Sequence, residues 1–249
     1  MDIIALIVIF IATFFGAMYG TLVGGASLLT IPTLIFFGVD PHVAVGTNRL
    51  GIIGLPLAGW YKFHQKKLIN YRIGSLVAVF SATGAIFGAY LFLKVPDTIL
   101  EYVVAAITLL LTLILILNPE AGIKNAKKTL TKRHYALGIF LSLLFGVYGG
   151  FYGAGIGTLQ SFLLIFLFGQ SFLEAAGTRK IANLLVSIVA AVIFIKAKII
   201  QYNLVAVIFI AAYLGSWVGA HYSDRIGNVW IKRAFITYAL FVVVSILIK

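Results

Sequence analysis

The chain of 249 residues is 62% hydrophobic and only 10% charged, which excludes an ordinary soluble globular protein. Uncharged apolar stretches of 18 to 39 residues recur along it, and about 20 residues suffice to cross a bilayer as a helix. We therefore expect an all-α, polytopic membrane protein of 8–10 segments. The formal charge of +12 is carried by lysines and arginines that crowd the loops, as the positive-inside rule predicts for a membrane protein.

The first uncharged stretch, residues 3–39, is longer than one membrane helix needs to be. It contains YGTLVGGASLLTIPTL (19–34), with three glycines and a proline. A straight helix of this length would measure about 55 Å, whereas the hydrocarbon core is about 30 Å thick. We expect either a hairpin of two helices broken at residues 20–25 or one long kinked helix. Because lipid offers no hydrogen-bond partners, a break should face protein or a water-filled cavity.

A cation follows inside the next span. Asp40 and Pro41 predict an N-cap and a proline at the first helical position. Arg49 lies nine residues further on, in GTNR (46–49), which is about 12 to 14 Å along a helix and close to the bilayer midplane. A cation at that depth is costly and is usually paired, solvated or functional. The alternative is that its long stem reaches back to the headgroups.

The second half of the chain repeats the first at a constant offset of 131 residues. This shift superimposes Gly24 on Gly155, Lys67 on Lys198 and GAIFGA (84–89) on GSWVGA (215–220). We expect two homologous membrane repeats, 1–117 and 134–249, joined by a basic cytoplasmic linker at 118–133. The GxxxG pairs Gly84/Gly88 and Gly215/Gly219 predict close helix packing within each half.

The glycine-rich stretch has a counterpart in YGGFYGAGIGTLQSFL (148–163), where we expect a break at residues 149–157. Paired Gly/Pro-interrupted segments in two repeats indicate the substrate site of a transporter. The alternative is that the glycines only let helices approach each other closely. After it, SFLE (171–174) predicts a capping box, and Arg179 and Lys180 follow eight and nine residues beyond Ser171. The second repeat thus places cations at the depth of Arg49.

All seven carboxylates lie in loops or near span ends, so the charge inside the membrane is positive. Cation transporters and proton relays usually place Asp or Glu inside the membrane. The N-termini of broken helices add free N–H groups and the positive end of a dipole. The sequence therefore predicts an anionic substrate.

At VGTNRLGIIGLPLAGWYKFHQKKLINYRIG (45–74) and AGTRKIANLLVSIVAAVIFIKAKIIQYNL (176–204) the chain resembles the sulfite exporter TauE/SafE family, over nearly its whole length. The resemblance implies a transporter of the prokaryotic inner membrane that moves small sulfur-containing anions such as sulfite, sulfoacetate or other sulfonates, using an ion gradient. By the motif match the substrate-binding residues are Thr47, Asn48, Arg49, Thr178, Arg179, Lys180 and Asn183, while Gly24, Gly25, Ser27, Gly155, Gly157 and Thr158 line the breaks.

Other functions and partners follow from the same residues. An anion channel and a membrane assembly or scaffold protein stay open as alternatives, whereas an enzyme is disfavoured because no nucleophile, metal cluster or acid/base pair is recognisable. We expect membrane lipid, a small anion and protons as the candidate coupling ion, with no cofactor, metal or nucleic acid; a homo-oligomer stays open. Five segments per half would place both termini outside and four would place both inside. Run length favours five, and an odd number makes the repeats inverted.

Overall fold

The computed structural model describes residues 2–94 and 130–225, together with residues 117, 233 and 237. The described residues form a bundle of α-helices, which confirms the predicted fold class. Five of the described helices are long and apolar enough to cross a membrane: Ile3–Leu22, Tyr71–Phe92, Lys132–Phe151, Phe172–Lys196 and Tyr202–His221. The helices are α1 (Ile3–Leu22), α2 (Ser27–Phe36), α3 (Pro41–Gly51), α4 (Gly54–Gln65), α5 (Tyr71–Phe92), α6 (Lys132–Phe151), α7 (Ile156–Phe162), α8 (Phe172–Lys196) and α9 (Tyr202–His221). A π-helical segment, Leu163–Leu167, continues α7.

Both glycine-rich stretches are broken hairpins. A β-carbon at Gly16 would lie 3.4 Å from that of Leu29, although 13 residues of straight helix would separate them by about 20 Å. The α2 helix therefore turns back against α1. In the second half a β-carbon at Gly138 would lie 2.5 Å from the ring of Phe168, so the chain after α6 also turns back. Of the two sequence alternatives, the structure shows the hairpin.

The described elements of the two halves follow the same order at the offset of 131. Helices α5 and α9 begin at Tyr71 and Tyr202. The backbone is left-handed at matching points, including the non-glycine residues Lys67 (φ 55°) and Lys198 (φ 58°). The orientation of the halves relative to a membrane stays a prediction, as do the repeat boundaries. Helix α6 begins at Lys132, inside the predicted linker, and residues 118–129 of that linker lie outside the described residues.

The GxxxG glycines pack between the halves, so the prediction that they pack within each half is wrong. A β-carbon at Gly84 or Gly88 on α5 would overlap the carbonyls of Leu143 and Val147 on α6. On the other side, Gly215 and Gly219 of α9 face Phe14 and Met18 of α1 in the same way. The motif indicates a close approach of two backbones, but its spacing does not specify the partner helix, and here that helix belongs to the opposite half.

The third span of each half begins at the predicted cap. The Asp40 carboxylate accepts a hydrogen bond from the backbone N–H of His42 at 2.9 Å, and Ser171 and Glu174 form the capping box that starts α8. The spans then differ, because α8 is continuous whereas the first half breaks between Gly51 and Gly54. Pro56 has no N–H to donate to the Ile52 carbonyl, so the helix is interrupted one turn before the proline. The interruption lies close to Arg49 in the sequence.

Candidate functional site

The two broken hairpins meet at their breaks. A β-carbon at Gly24, where φ is +105°, would lie 2.5 Å from the backbone nitrogen of Thr158 and 2.9 Å from the carbonyl carbon of Gly157. The Thr158 hydroxyl donates across the contact to the Val23 carbonyl at 3.4 Å. A glycine is required at position 24 for two reasons, the left-handed conformation and the close approach of the other half. Irregular backbone from both halves is thereby enclosed by protein.

A cavity lies at this junction. Its volume is about 50 Å³. One water molecule requires about 10–15 Å³ of cavity volume. The cavity therefore has room for roughly three to five non-hydrogen atoms. Both halves contribute to its wall. The lining residues are Gly20, Gly24, Gly25, Ala26, Ser27, Arg49, Ile52, Leu55, Pro56, Gly153, Gly155, Ile156, Gly157, Arg179, Asn183 and Ser187.

Arg49 crosses from the first half to the second. Its side chain is 2% exposed, and its Nη2 donates to the carbonyl of Gly149 at 2.6 Å. The guanidinium lies directly on Gly153, where φ is +68° and where any β-carbon would overlap Nη2. Because Gly149 lies in the last turn of α6, Arg49 satisfies one of the carbonyls that a helix C-terminus leaves unpaired.

The side chains of Arg179 and Lys180 reach in the opposite direction, from the second half to the first. Arg179 Nη2 donates to the carbonyls of Gly20 at 3.1 Å and Thr21 at 3.0 Å, and Lys180 Nζ donates to Thr21 at 3.1 Å. Both side chains are at most 1% exposed. Arg179 also lies against Gly157, where a β-carbon would overlap its Nη1. The last turn of α1 thus holds both cations of the second half.

The electrostatics of the cavity combine both ends of the broken helices. The sequence points to the N-termini of α2 and α7, and residues of both first turns do line the cavity. The C-terminal carbonyls of α1 and α6, with the negative end of their dipoles, hold the cations. No carboxylate of the described residues lies within ion-pair distance of Arg49, Arg179 or Lys180. The Nε atoms of both arginines are buried and have no hydrogen-bond partner in the described ranges.

Eight of the thirteen predicted substrate-binding residues line the cavity: Gly24, Gly25, Ser27, Arg49, Gly155, Gly157, Arg179 and Asn183. Two others support it, since Asn48 Nδ2 donates to Ser27 Oγ at 2.9 Å and Thr158 contacts the opposite break. Lys180 reaches α1 without lining the cavity.

Thr47 and Thr178 lie elsewhere. Their hydroxyls accept hydrogen bonds from the backbone N–H of Gln201 at 2.9 Å and of Asn70 at 3.1 Å, the residues that immediately precede α9 and α5. Each bond joins the two halves, so the structure gives these threonines a bridging position rather than a place in the cavity wall.

Sequence reasoning did not select several lining residues. Gly153 was within reach, because it belongs to the same glycine-rich stretch as Gly155 and Gly157. Ser187 could have been found as the residue two turns beyond Arg179 on one face of α8. The apolar residues Ile52, Leu55 and Pro56 carried no signal, since nothing local distinguishes them from other apolar residues of a span.

A helical bundle with five membrane-capable helices, whose broken segments enclose a small cationic cavity, defines an integral membrane protein of the transporter class. Comparison with known proteins agrees. The profile described as sulfite exporter TauE/SafE matches residues 8–246, so the chain belongs to that family, as its motifs predict.

The chain is similar to relatives that are named as transporters. A "Probable membrane transporter protein" of Haemophilus influenzae (strain Rd) is 26% identical over 215 residues, which cover 86% of this chain and 84% of the relative. YdhB of Bacillus subtilis (strain 168), with the same description, is 26% identical over 223 residues, covering 87% and 89%. YfcA of Escherichia coli (strain K12) is 24% identical over 213 residues, covering 86% and 78%. No solved structure matches the chain.

Proposed function

We propose that this membrane protein is a secondary transporter of small anions, which bind in the cavity between the two halves. The observation that carries the proposal is the burial of Arg49, Arg179 and Lys180 around one junction with no carboxylate partner among the described residues. Uncompensated buried charge is costly. Backbone carbonyls accept some of the N–H groups but neutralise no charge, and an anion would supply the missing counter-ion.

The size of the cavity supports a compact anion. A volume of about 50 Å³ matches a single-centre oxyanion better than an extended one. The family description names sulfite, which has four non-hydrogen atoms and falls in the range estimated above. Longer organosulfonates such as sulfoacetate exceed this volume. We therefore favour sulfite-like anions, with sulfonates as the wider class.

The test is flux in proteoliposomes that contain the purified protein. A panel of sulfur oxyanions, sulfonates and carboxylates is offered with and without a proton gradient. A secondary transporter should accumulate a small anion only when the gradient is present. Arg72→Gln, which changes an exposed arginine, should keep this flux, and Arg49→Gln should lose it.

Two outcomes would overturn the proposal. Anion flux that runs down its own gradient and ignores protons and other ion gradients would indicate the channel alternative. No flux of any anion, from protein that is monodisperse and correctly inserted, would indicate an assembly or scaffold function.

A further inference from the structure

Three polar residues of α8 line the cavity, and we call them the polar wall. On α8, Arg179, Asn183 and Ser187 follow at intervals of four residues, so they share one face of the helix. The lining also includes the apolar residues Ile52, Leu55 and Pro56 of the first half. A ligand held at the cations therefore meets both hydrogen-bonding groups and hydrocarbon.

The polar wall is not a consequence of the shared repeat pattern. At the offset of 131, Asn183 corresponds to Ile52 and Ser187 corresponds to Pro56. The same positions are thus apolar in one half and polar in the other, although both line the cavity. The lining of the cavity is therefore not symmetric between the two halves.

Neither neutral polar group of this wall is occupied by the protein. Ser187 is 5% exposed, and its hydroxyl makes no hydrogen bond within the described ranges. The amide of Asn183 is equally unpaired there, with its Oδ1 buried. By contrast, the nearby Asn48 amide and Ser27 hydroxyl bond to each other. A buried polar atom without a partner costs stability, and Asn183 Oδ1 is such an atom. Together with the Ser187 hydroxyl one turn further along the cavity wall, it indicates a ligand group.

We infer that Asn183 and Ser187 form a subsite for a neutral hydroxyl group of the ligand, beside the anionic group that the arginines hold. An amide and a hydroxyl can each donate and accept a hydrogen bond. A ligand hydroxyl can use both functions, whereas a methyl group can use neither. The inference rests on the proposed function and narrows it. Among compact anions of the size estimated above, the site should prefer one that carries a hydroxyl next to its charged group, and Asn183 and Ser187 determine that preference.

The experiment compares anions that differ by one hydroxyl. Affinities of the purified full-length protein are measured for glycolate against acetate, because glycolate carries its hydroxyl on the carbon next to the carboxylate and both anions fall within the size estimated for the cavity. A site built to bond a hydroxyl rejects the analogue that lacks it, so we expect the hydroxylated member of a pair to bind at least about tenfold more tightly. In the double variant Asn183→Leu with Ser187→Ala, this ratio should fall towards one. The control is Ser161→Ala, another buried serine with an unpaired hydroxyl, which lies outside the cavity wall and should keep the ratio.

The outcomes separate this inference from the proposed function. Equal affinities for glycolate and acetate in the unmodified protein overturn the subsite and leave anion transport standing, and this comparison needs no variant to fold. A preference that persists in the double variant also overturns the assignment to Asn183 and Ser187. Failure of every anion to bind, with no flux in proteoliposomes, overturns the proposed function and the subsite with it.

Discussion

Arg49 shows what a residue-scale argument can reach from sequence. Its charge inside an apolar span, close to a predicted cap, was enough to select it. Its partner, the carbonyl of Gly149, lies 100 residues away in the other half. No local pattern encodes that contact, because a backbone carbonyl is offered by every residue. The cations were therefore predictable, and the helix ends that hold them were not.

The first prediction concerns the charge of Arg49. Arg49→Gln should weaken anion binding by about 10- to 150-fold, which corresponds to the loss of one charge-assisted hydrogen bond. Arg49→Lys should be milder, since a point charge survives while the planar fork is lost. Titration of purified protein measures both. The side chain is buried and bonds to Gly149 rather than reaching back to the headgroups, so the snorkelling alternative is wrong for Arg49. If Arg49→Gln keeps the affinity of the unmodified protein, Arg49 does not bind the anion and serves only to join the halves.

A second prediction concerns the glycine beneath that guanidinium. Gly153→Ala should lower anion affinity as strongly as Arg49→Gln, because the added β-carbon overlaps Nη2 and displaces the side chain. The matched control is Gly38→Ala, which has a similar left-handed backbone (φ +81°) and no atom within 4 Å of the new β-carbon. The control carries the same kind of backbone strain without the collision. Equal effects of the two changes on affinity would contradict a steric role for Gly153.

At the scale of elements, the hairpins were predictable in part. Their length excluded one straight span, and the glycines located the breaks at 20–25 and 149–157. Whether the chain turns back or merely kinks depends on packing between α2 and α1, which involves contacts such as Gly16 with Leu29 rather than a propensity. The sequence therefore left two alternatives, and only tertiary contacts distinguish them.

The two segments that turn back after the breaks are irregular at matching positions. We call these segments, Ser27–Phe36 and Ile156–Leu167, the returning arms. Pro32 lies inside α2, and 131 residues later Leu163 begins the π-helical segment after α7. A proline removes one main-chain hydrogen bond, and a π-segment shifts the pattern by one residue. The lost donor at Pro32 is the one that would reach the Leu28 carbonyl, while the neighbouring Thr33 Oγ1 donates to the Leu29 carbonyl at 2.7 Å. The main-chain hydrogen bonding of both returning arms is thus irregular at one matched position, outside the cavity lining.

A third prediction follows for the first arm. Pro32→Ala restores a donor in the middle of α2, so the arm should stiffen. We expect slower anion flux at unchanged anion affinity, with a higher melting temperature. The control is Pro41→Ala, because a proline at the first position of a helix blocks no main-chain hydrogen bond. Flux and affinity that fall together would place Pro32 in the binding site instead, and unchanged flux would exclude bending of this arm from the transport cycle.

At the scale of the molecule, the contacts that build the site join one half to the other. Arg49 bonds to α6, Arg179 bonds to α1, and the threonines Thr47 and Thr178 bridge to Gln201 and Asn70. The GxxxG packing crosses in the same way. Neither half alone contains the cavity. A repeat read from sequence predicts that equivalent elements exist, but the exchange of contacts between them is a property of their assembly.

The last prediction is the topology of the whole chain. The hairpin, the third span and α5 supply four segments in the first half, and the second half follows the same order. We expect a fifth segment in each half, which makes the repeats inverted and places both termini on the outer side. A reporter fused after Lys249 should therefore show periplasmic-type activity. A second reporter, fused to a chain truncated at residue 126, is the control, because both topologies leave the basic linker inside. Cytoplasmic-type activity after Lys249, with the control also inside, would contradict this prediction. It would mean four segments per half and repeats that are parallel rather than inverted.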